Sequence, residues 1–202
     1  MSEEVTFYTN PHSRGRIVRW MLEEVGAPYQ AKIVEYGEMM KGSQYLAINP
    51  MGKVPAIEHR GAVVTECAAI CAYLADAFPD AQMAPAPGER QSYYRWLFFA
   101  AGPMEAALTD KALGVEIPEE RKPTVGYGEF GLVLDVLEEL LSRCEYVAGE
   151  RISAADVYLG AQLAFGLQFD SIEKRDAFTA YVKRLTGREA WQRANELDGP
   201  LG

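Results

Sequence analysis

Residues Asn49–Ile57 read NPMGKVPAI. From Lys53 onward the stretch has the character of a strand, yet Pro55 lies inside it. Proline has no N–H to give a sheet ladder, so a proline here marks an edge, a strand start or an intended break. The flanking sequence decides among these. Upstream, Val5–Tyr8 reads as a short strand, residues 10–13 (NPHS) as a turn, and Arg14–Val25 as a helix. Ile17, Val18, Met21, Leu22 and Val25 share one face of that helix. Ser13 stands at its N-cap and Gly26 just past its end. Tyr29–Glu35 reads as a second strand, which completes a βαβ unit with a parallel pair. Tyr36–Asn49 is looser, with one or two helical turns in SQYLAIN. Downstream, Val54–Glu58 and Ala62–Thr65 flank the turn Arg60-Gly61 and form an antiparallel hairpin. A helix from Glu66 to about Phe78 follows, with Ala69, Ile70, Tyr73, Leu74 and Ala77 as its apolar stripe.

The segment 79–88 (PDAQMAPAPG) is the best linker in the chain. Everything beyond it reads as helix. The periodicity predicts helices over Arg90–Leu108, Tyr127–Arg143, Ala154–Phe165, Lys174–Leu185 and Glu189–Asn195. In RISAADV, Ser153 and Asp156 have the spacing of a capping box, with Ile152 and Val157 as its hydrophobic staple. The expected organisation is an α/β domain over residues 1–78, a linker over 79–88, and an all-helical domain over 89–202.

The 202 residues carry a formal net charge of -9, with 49% hydrophobic and 24% charged residues. This is globular composition, and the acidity argues against a general nucleic-acid or anionic-membrane binder. The three cysteines, Cys67, Cys71 and Cys144, include no CxxC pair, and the two histidines, His12 and His59, fall in no zinc-type cluster. No disulfide framework and no metal are expected, and a reducing compartment fits better. No apolar leader or bilayer-length segment is apparent, so a cytoplasmic protein is expected.

A β-α-β-β-β-α order with a proline opening the third strand is the thioredoxin-like pattern, in which that proline is cis. The bend directs the backbone of the preceding residue, Val54, toward a pocket, where an extended peptide can pair with it as another strand. Thr65, Glu66 and Cys67 stand at a helix start, whose unpaired N–H groups favour an anion. Glu66 beside them suits an ammonium. Together they recognise an α-amino-acid end. A ligand with that head, a peptide-like middle and a thiol is glutathione.

With these motifs the chain resembles a cytosolic-type glutathione transferase of the bacterial kind from end to end. The features that carry the resemblance are YTNPHSRGR, NPMGKVP, the TEC start of the following helix, the linker, the helical second half and the SAAD capping box. The resemblance implies a thioredoxin-like domain followed by an all-helical domain. It also implies a homodimer, and attack of the glutathione thiolate on a small apolar electrophile in detoxification. Other glutathione-dependent activities on the same scaffold are an isomerase, a dehalogenase or a peroxidase. A non-catalytic binding protein is a further alternative. Two hydroxyls are candidates for activating the thiol, Ser13 in the Pro-x-Ser turn and Tyr8 at the end of the first strand. Ser13 fits the spacing better. Candidate glutathione contacts are Lys41, Lys53, Val54, Pro55, Glu66 and Cys67. The resemblance expects serine where Cys67 stands, which removes one hydroxyl hydrogen bond to the ligand carboxylate. His12, Trp96, Phe99, Pro103 and Met104 are candidates for the electrophile pocket.

Overall fold

The computed structural model describes residues 4–201. In chain order the first elements are β1 (Val5–Thr9), α1 (Gly15–Val25), β2 (Tyr29–Ile33), α2 (Glu38–Lys41), α3 (Ser43–Leu46), β3 (Ala56–His59), β4 (Ala62–Thr65) and α4 (Cys67–Ala77). The helical elements that follow are α5 (Gln91–Phe99), α6 (Glu105–Leu113), α7 (Phe130–Leu141), α8 (Ala154–Gln168), α9 (Asp176–Thr186) and α10 (Glu189–Asp198). They divide into two units. One comprises the chain up to Ala84 and again from Thr186, and the other runs from Pro85 to Leu185.

The first unit is a four-stranded mixed sheet in the order β2-β1-β3-β4. β1 pairs in parallel with β2, Val5 opposite Tyr29, and antiparallel with β3, Phe7 opposite Ile57. β3 and β4 form the expected hairpin, with Ile57 opposite Val64. Side chains alternate across β1. Val5, Phe7 and Thr9 are fully buried, together with Ile17, Met21 and Leu22 of α1 and Ile70 and Leu74 of α4. Tyr8 alternates to the other face and packs with Val34, Met40, Tyr45 and Ala56. β3 begins at Ala56, two residues later than the expected strand, because Pro55 has no N–H to give the ladder.

Residues 186–202, expected in the helical domain, depart from that expectation. α10 packs on α1 within the first unit. Trp20 and Trp191 meet edge to face with ring centroids 4.7 Å apart. Arg19 Nε donates to the Asp198 carboxylate at 2.7 Å, both side chains being buried. Arg188 takes Glu24 in a two-pronged ion pair, and Arg193 takes Glu23. The charged residues of α1, Arg16, Arg19, Glu23 and Glu24, bind α10 and the residues that flank it.

In the second unit, the single long helix expected over Arg90–Leu108 is broken by a π-helical turn at Ala100–Met104. Pro103 lies in that turn and cannot donate an N–H to the helix ladder, so the turn widens. Gln162 of α8 donates to the carbonyl of Ala100, in the same turn, at 3.3 Å. The predicted capping box is present at the start of α8. The buried carboxylate of Asp156 accepts the Ser153 N–H at 2.9 Å, the Ser153 hydroxyl at 2.7 Å, the Val147 N–H at 2.8 Å and the Tyr181 hydroxyl at 2.8 Å. Burial pushes this carboxyl upward from the usual carboxylate range, and the hydrogen bonds oppose that shift.

Candidate functional site

Three segments of the first unit carry Ser13, Lys53, Val54, Pro55, Glu66 and Cys67: the β1–α1 turn, the loop before β3, and the β4–α4 junction.

The β1–α1 turn is built around Asn10, which is 3% exposed. Its Nδ2 donates to the carbonyl of Val34 at 3.1 Å, and its Oδ1 accepts the His12 N–H at 3.0 Å. Its carbonyl accepts two bonds from Ser13, from the N–H at 3.1 Å and from the hydroxyl at 2.7 Å. The Ser13 oxygen in turn accepts the Gly15 N–H at 2.9 Å. Ser13 therefore caps the start of α1, although Arg14 holds the N-cap position itself. A Cβ on Gly15 would stand 2.0 Å from Thr9 Oγ1 and 3.0 Å from Ser13 Oγ, so only glycine lets the helix start this close to β1. Arg16 reaches back to the carbonyl of Pro11 at 3.2 Å. The Tyr36 hydroxyl donates to the carbonyl of His12 at 3.1 Å.

The loop before β3 repeats the device. Asn49 is also 3% exposed. Its Oδ1 accepts the Met51 N–H at 3.1 Å, and its Nδ2 donates to the carbonyl of Lys53 at 2.8 Å. The Tyr45 hydroxyl donates to the same carbonyl at 2.7 Å. Lys41 Nζ donates to the carbonyls of Gly52 at 2.8 Å and Met51 at 3.1 Å. Lys41 thus binds this loop, and the Lys53 side chain is exposed. Gly52 has φ 57°, and a Cβ there would meet the Met40 carbonyl at 2.9 Å.

At the β4–α4 junction, Glu66 occupies the N-cap of α4 with φ 67°. A non-glycine residue in the left-handed region marks a sharp turn. Its carboxylate is exposed and takes no ion pair among the described residues. The first intrahelical N–H is that of Ile70, which donates to Glu66, so the N–H groups of the preceding turn have no partner within the helix. The Cys67 thiol turns away from the helix mouth toward the carbonyl of Arg14, at 3.7 Å.

Tyr8 sits in different surroundings. Its hydroxyl donates to Glu58 at 2.5 Å, and Lys32 Nζ lies 5.2 Å from its ring centroid. Burial first, and then the bond to Glu58, pushes the hydroxyl up to about 12. The ring lines a cavity of about 610 Å³ floored by Val34, Tyr45 and Ile48, and Ser13, Val54, Glu66 and Cys67 are not among its lining residues. Of the electrophile candidates, His12 is exposed and Phe99 and Pro103 are half-buried. Trp96 is 5% exposed and Met104 is fully buried, so Met104 is core and presents no surface to a ligand. Among the described residues no cluster of His, Cys, Asp or Glu is arranged to hold a metal ion.

Asn10 and Asn49 are absent from the sequence-based site. Their signal is the dipeptide Asn-Pro, which occurs at residues 10–11 and 49–50 and nowhere else in the chain. In both places the side-chain oxygen accepts the N–H two residues on, the bond of an Asx turn.

The geometry has counterparts in known proteins. A family model described as the N-terminal domain of glutathione S-transferase matches residues 13–77, and one described as its C-terminal domain matches residues 103–189. The chain is 33% identical to glutathione S-transferase GstA of Escherichia coli O157:H7 over 164 residues, 78% of this chain and 80% of that protein. A solved glutathione transferase from Methylococcus capsulatus strain Bath superposes with a TM-score of 0.81 at 29% identity, covering 96% of this chain and 98% of that one. A glutathione transferase homologue from Sulfitobacter, solved with bound glutathione, gives 0.79 at 25% identity over 97% and 99%. With a thioredoxin-like first unit, a helical second unit and both family domains matched in order, the chain belongs to the glutathione S-transferase family.

Proposed function

We propose that the protein is a glutathione transferase that activates the thiol of glutathione with Ser13 and conjugates it to a small apolar electrophile. The observation that carries this reading is the hydroxyl of Ser13 at the mouth of α1. Gly15 N–H holds its oxygen, and its proton rests on the neutral carbonyl of Asn10. When a thiolate arrives, rotation about one bond transfers that proton from a neutral acceptor to a charged one. A charge-assisted hydrogen bond is roughly twice as strong as a neutral one, so the exchange favours the thiolate. Lowering a thiol by about two pH units from its ordinary value near 8.5 takes roughly 2.7 kcal/mol. The hydroxyl and the N-terminal end of α1 together are of that order. Tyr8 is the weaker candidate, because its hydroxyl already donates its hydrogen bond to the carboxylate of Glu58.

The γ-glutamyl end of glutathione is assigned to the β4–α4 junction. The N–H groups at the start of α4 take its carboxylate, as a helix N-terminus suits an anion, and the exposed Glu66 takes its ammonium. The cysteinyl backbone is assigned to Val54, next to the cis bond, and the glycyl carboxylate to Lys53. Lys41 contributes to the site by holding the loop that carries Lys53 and Val54. The three cysteines are free, which fits a reducing cytoplasm.

Retention on immobilised glutathione followed by turnover of a panel of apolar electrophiles tests the reading. Release without retention, and no conjugation of any electrophile, contradict it. Glu66→Gln is expected to weaken glutathione binding by roughly 1.5–3 kcal/mol, the range of a hydrogen bond to a charged group. Calorimetry that finds the same affinity in wild type and variant returns Glu66 to a purely local role at the helix start.

A homodimer is part of the proposal. α5 presents two large aromatic side chains one turn apart, Tyr94 at 45% and Phe98 at 67% exposure, with ring centroids 6.4 Å apart. An exposed apolar pair of this kind suits a contact between copies. Phe98→Asp is expected to shift the protein from dimer to monomer in light scattering at micromolar concentration. An unchanged mass removes this face from the interface.

A further inference from the structure

We infer that the two buried asparagines, Asn10 and Asn49, are paired positioning residues of the glutathione site, Asn10 for the rate and Asn49 for the grip. The inference rests on the proposed role of Ser13 and Val54. Each asparagine follows the same plan: an Asn-Pro step, an Oδ1 that accepts the N–H two residues on, and an Nδ2 that donates to a carbonyl elsewhere. Both are 3% exposed, so neither touches a ligand, and all their effect must pass through the backbone they hold.

What each holds is different. Asn10 joins the end of β2 to the turn. Val34 N–H already donates to the carbonyl of Thr9 at 2.8 Å, and Asn10 Nδ2 returns a bond to the carbonyl of the same Val34 at 3.1 Å. The side chain continues the strand pairing one step beyond the point where the backbone leaves it. With Asn10 fixed, its carbonyl sets the position of Ser13 through both the N–H and the hydroxyl. Asn10 thereby fixes where the thiolate finds its donor.

Asn49 acts on a peptide plane. Its Nδ2, with the Tyr45 hydroxyl, holds the carbonyl of Lys53. That carbonyl belongs to the same planar unit as the N–H of Val54, and in a trans peptide the two point in opposite directions. Clamping the carbonyl from one side aims the Val54 N–H to the other. Asn49 thereby orients the backbone group assigned to the cysteinyl part of glutathione, a contact made equally before and during reaction. Loss of such a contact weakens binding and leaves thiol ionisation alone.

The two roles separate in one pair of measurements on the full chain: glutathione affinity by calorimetry, and the ultraviolet thiolate absorbance of bound glutathione against pH. Asn10→Ala is expected to raise the thiolate titration by about one pH unit and change the dissociation constant by less than about threefold. Asn49→Ala is expected to raise the dissociation constant by about tenfold and move the titration by less than about 0.3 unit. If an alanine variant does not fold, the serine variant replaces it, since serine keeps a turn bond to the N–H two residues on and lacks the second donor. A merely structural role would move both quantities together in both variants, and that result overturns the proposal, as does a folded pair in which neither moves. The reading beneath it fails separately: if wild type binds glutathione and Ser13→Ala leaves the titration in place, Ser13 is not the donor, whatever the asparagines do. Absence of glutathione binding by wild type overturns both.

Discussion

Replacing Asp156 with alanine is expected to lower the melting temperature by roughly 10 °C. The carboxylate accepts from two backbone N–H groups and two hydroxyls, those of Val147, Ser153 and Tyr181. Its side chain is fully buried. Alanine leaves all of these donors inside the helical unit with no water to replace the carboxylate. Removing one partner of a buried charged network costs about 3–5 kcal/mol. For a chain of this size each kcal/mol moves the midpoint by about 2–4 °C. Asp156→Asn is expected to recover part of the loss, because its carbonyl oxygen keeps acceptor capacity while the NH₂ faces donors. Calorimetric melts of the two variants check this. A midpoint for Asp156→Ala within about 2 °C of wild type would show that water or a rearranged helix start satisfies the donors.

This carboxylate was legible in part. The Ser153-Ala-Ala-Asp156 spacing announces a helix start, and the structure has it. The bonds from Val147 and Tyr181 come from other parts of the fold, and no local pattern carries them. The same division runs through the molecule. The strands, the hairpin and the β-α-β opening follow from short-range periodicity and turn chemistry, and the sheet has that order. The placement of α10 does not follow, because its partners on α1 are charged residues far from it in the chain, which no local pattern connects. Arg19 and Asp198 become a buried pair only when α1 and α10 meet, 179 residues apart in sequence. The π turn was hidden for a related reason. Pro103 signals a disturbance, but the apolar periodicity continues across it and reads as one helix.

At the candidate site the residues proposed for the chemistry of their side chains stand out in the sequence, and those proposed to act by holding backbone do not. Ser13, Glu66 and Pro55 stand out as a hydroxyl, a carboxylate and a proline in telling positions. Asn10 and Asn49 look like ordinary turn formers. Their burial, and the carbonyls of Val34 and Lys53 that they bind, are visible only in three dimensions. Tyr8 was ambiguous in sequence because a tyrosine at a strand end can face either side of the sheet. In the structure it faces the cavity beside β2, and its hydroxyl donates a hydrogen bond to Glu58.

Ser13→Ala is expected to slow conjugation at neutral pH by up to roughly 10- to 100-fold, the scale of a thiolate titration displaced by about one to two pH units. The variant removes the hydroxyl that would donate to the thiolate and also the acceptor for the Gly15 N–H. The second loss costs about 1 kcal/mol of stability as a lost cap, and leaves the fold in place. Glutathione affinity should change less than the rate, because the main contacts assigned to the ligand lie at Val54 and at the start of α4. The sign of the pH dependence follows directly. Without the hydroxyl the bound thiol ionises at higher pH, so the deficit is largest below the wild-type titration and shrinks as pH rises toward the value of free glutathione. Tyr8→Phe should have little effect on rate, since the lost hydroxyl serves Glu58.

The direct measurement is the ultraviolet absorbance of the glutathione thiolate in the binary complex, titrated against pH for wild type, Ser13→Ala and Tyr8→Phe. A titration displaced upward by about one to two pH units in Ser13→Ala, equivalent to roughly 1.4–2.7 kcal/mol, and unmoved in Tyr8→Phe is expected if Ser13 is the donor. A titration that shifts upward in Tyr8→Phe and stays in place in Ser13→Ala would contradict that assignment.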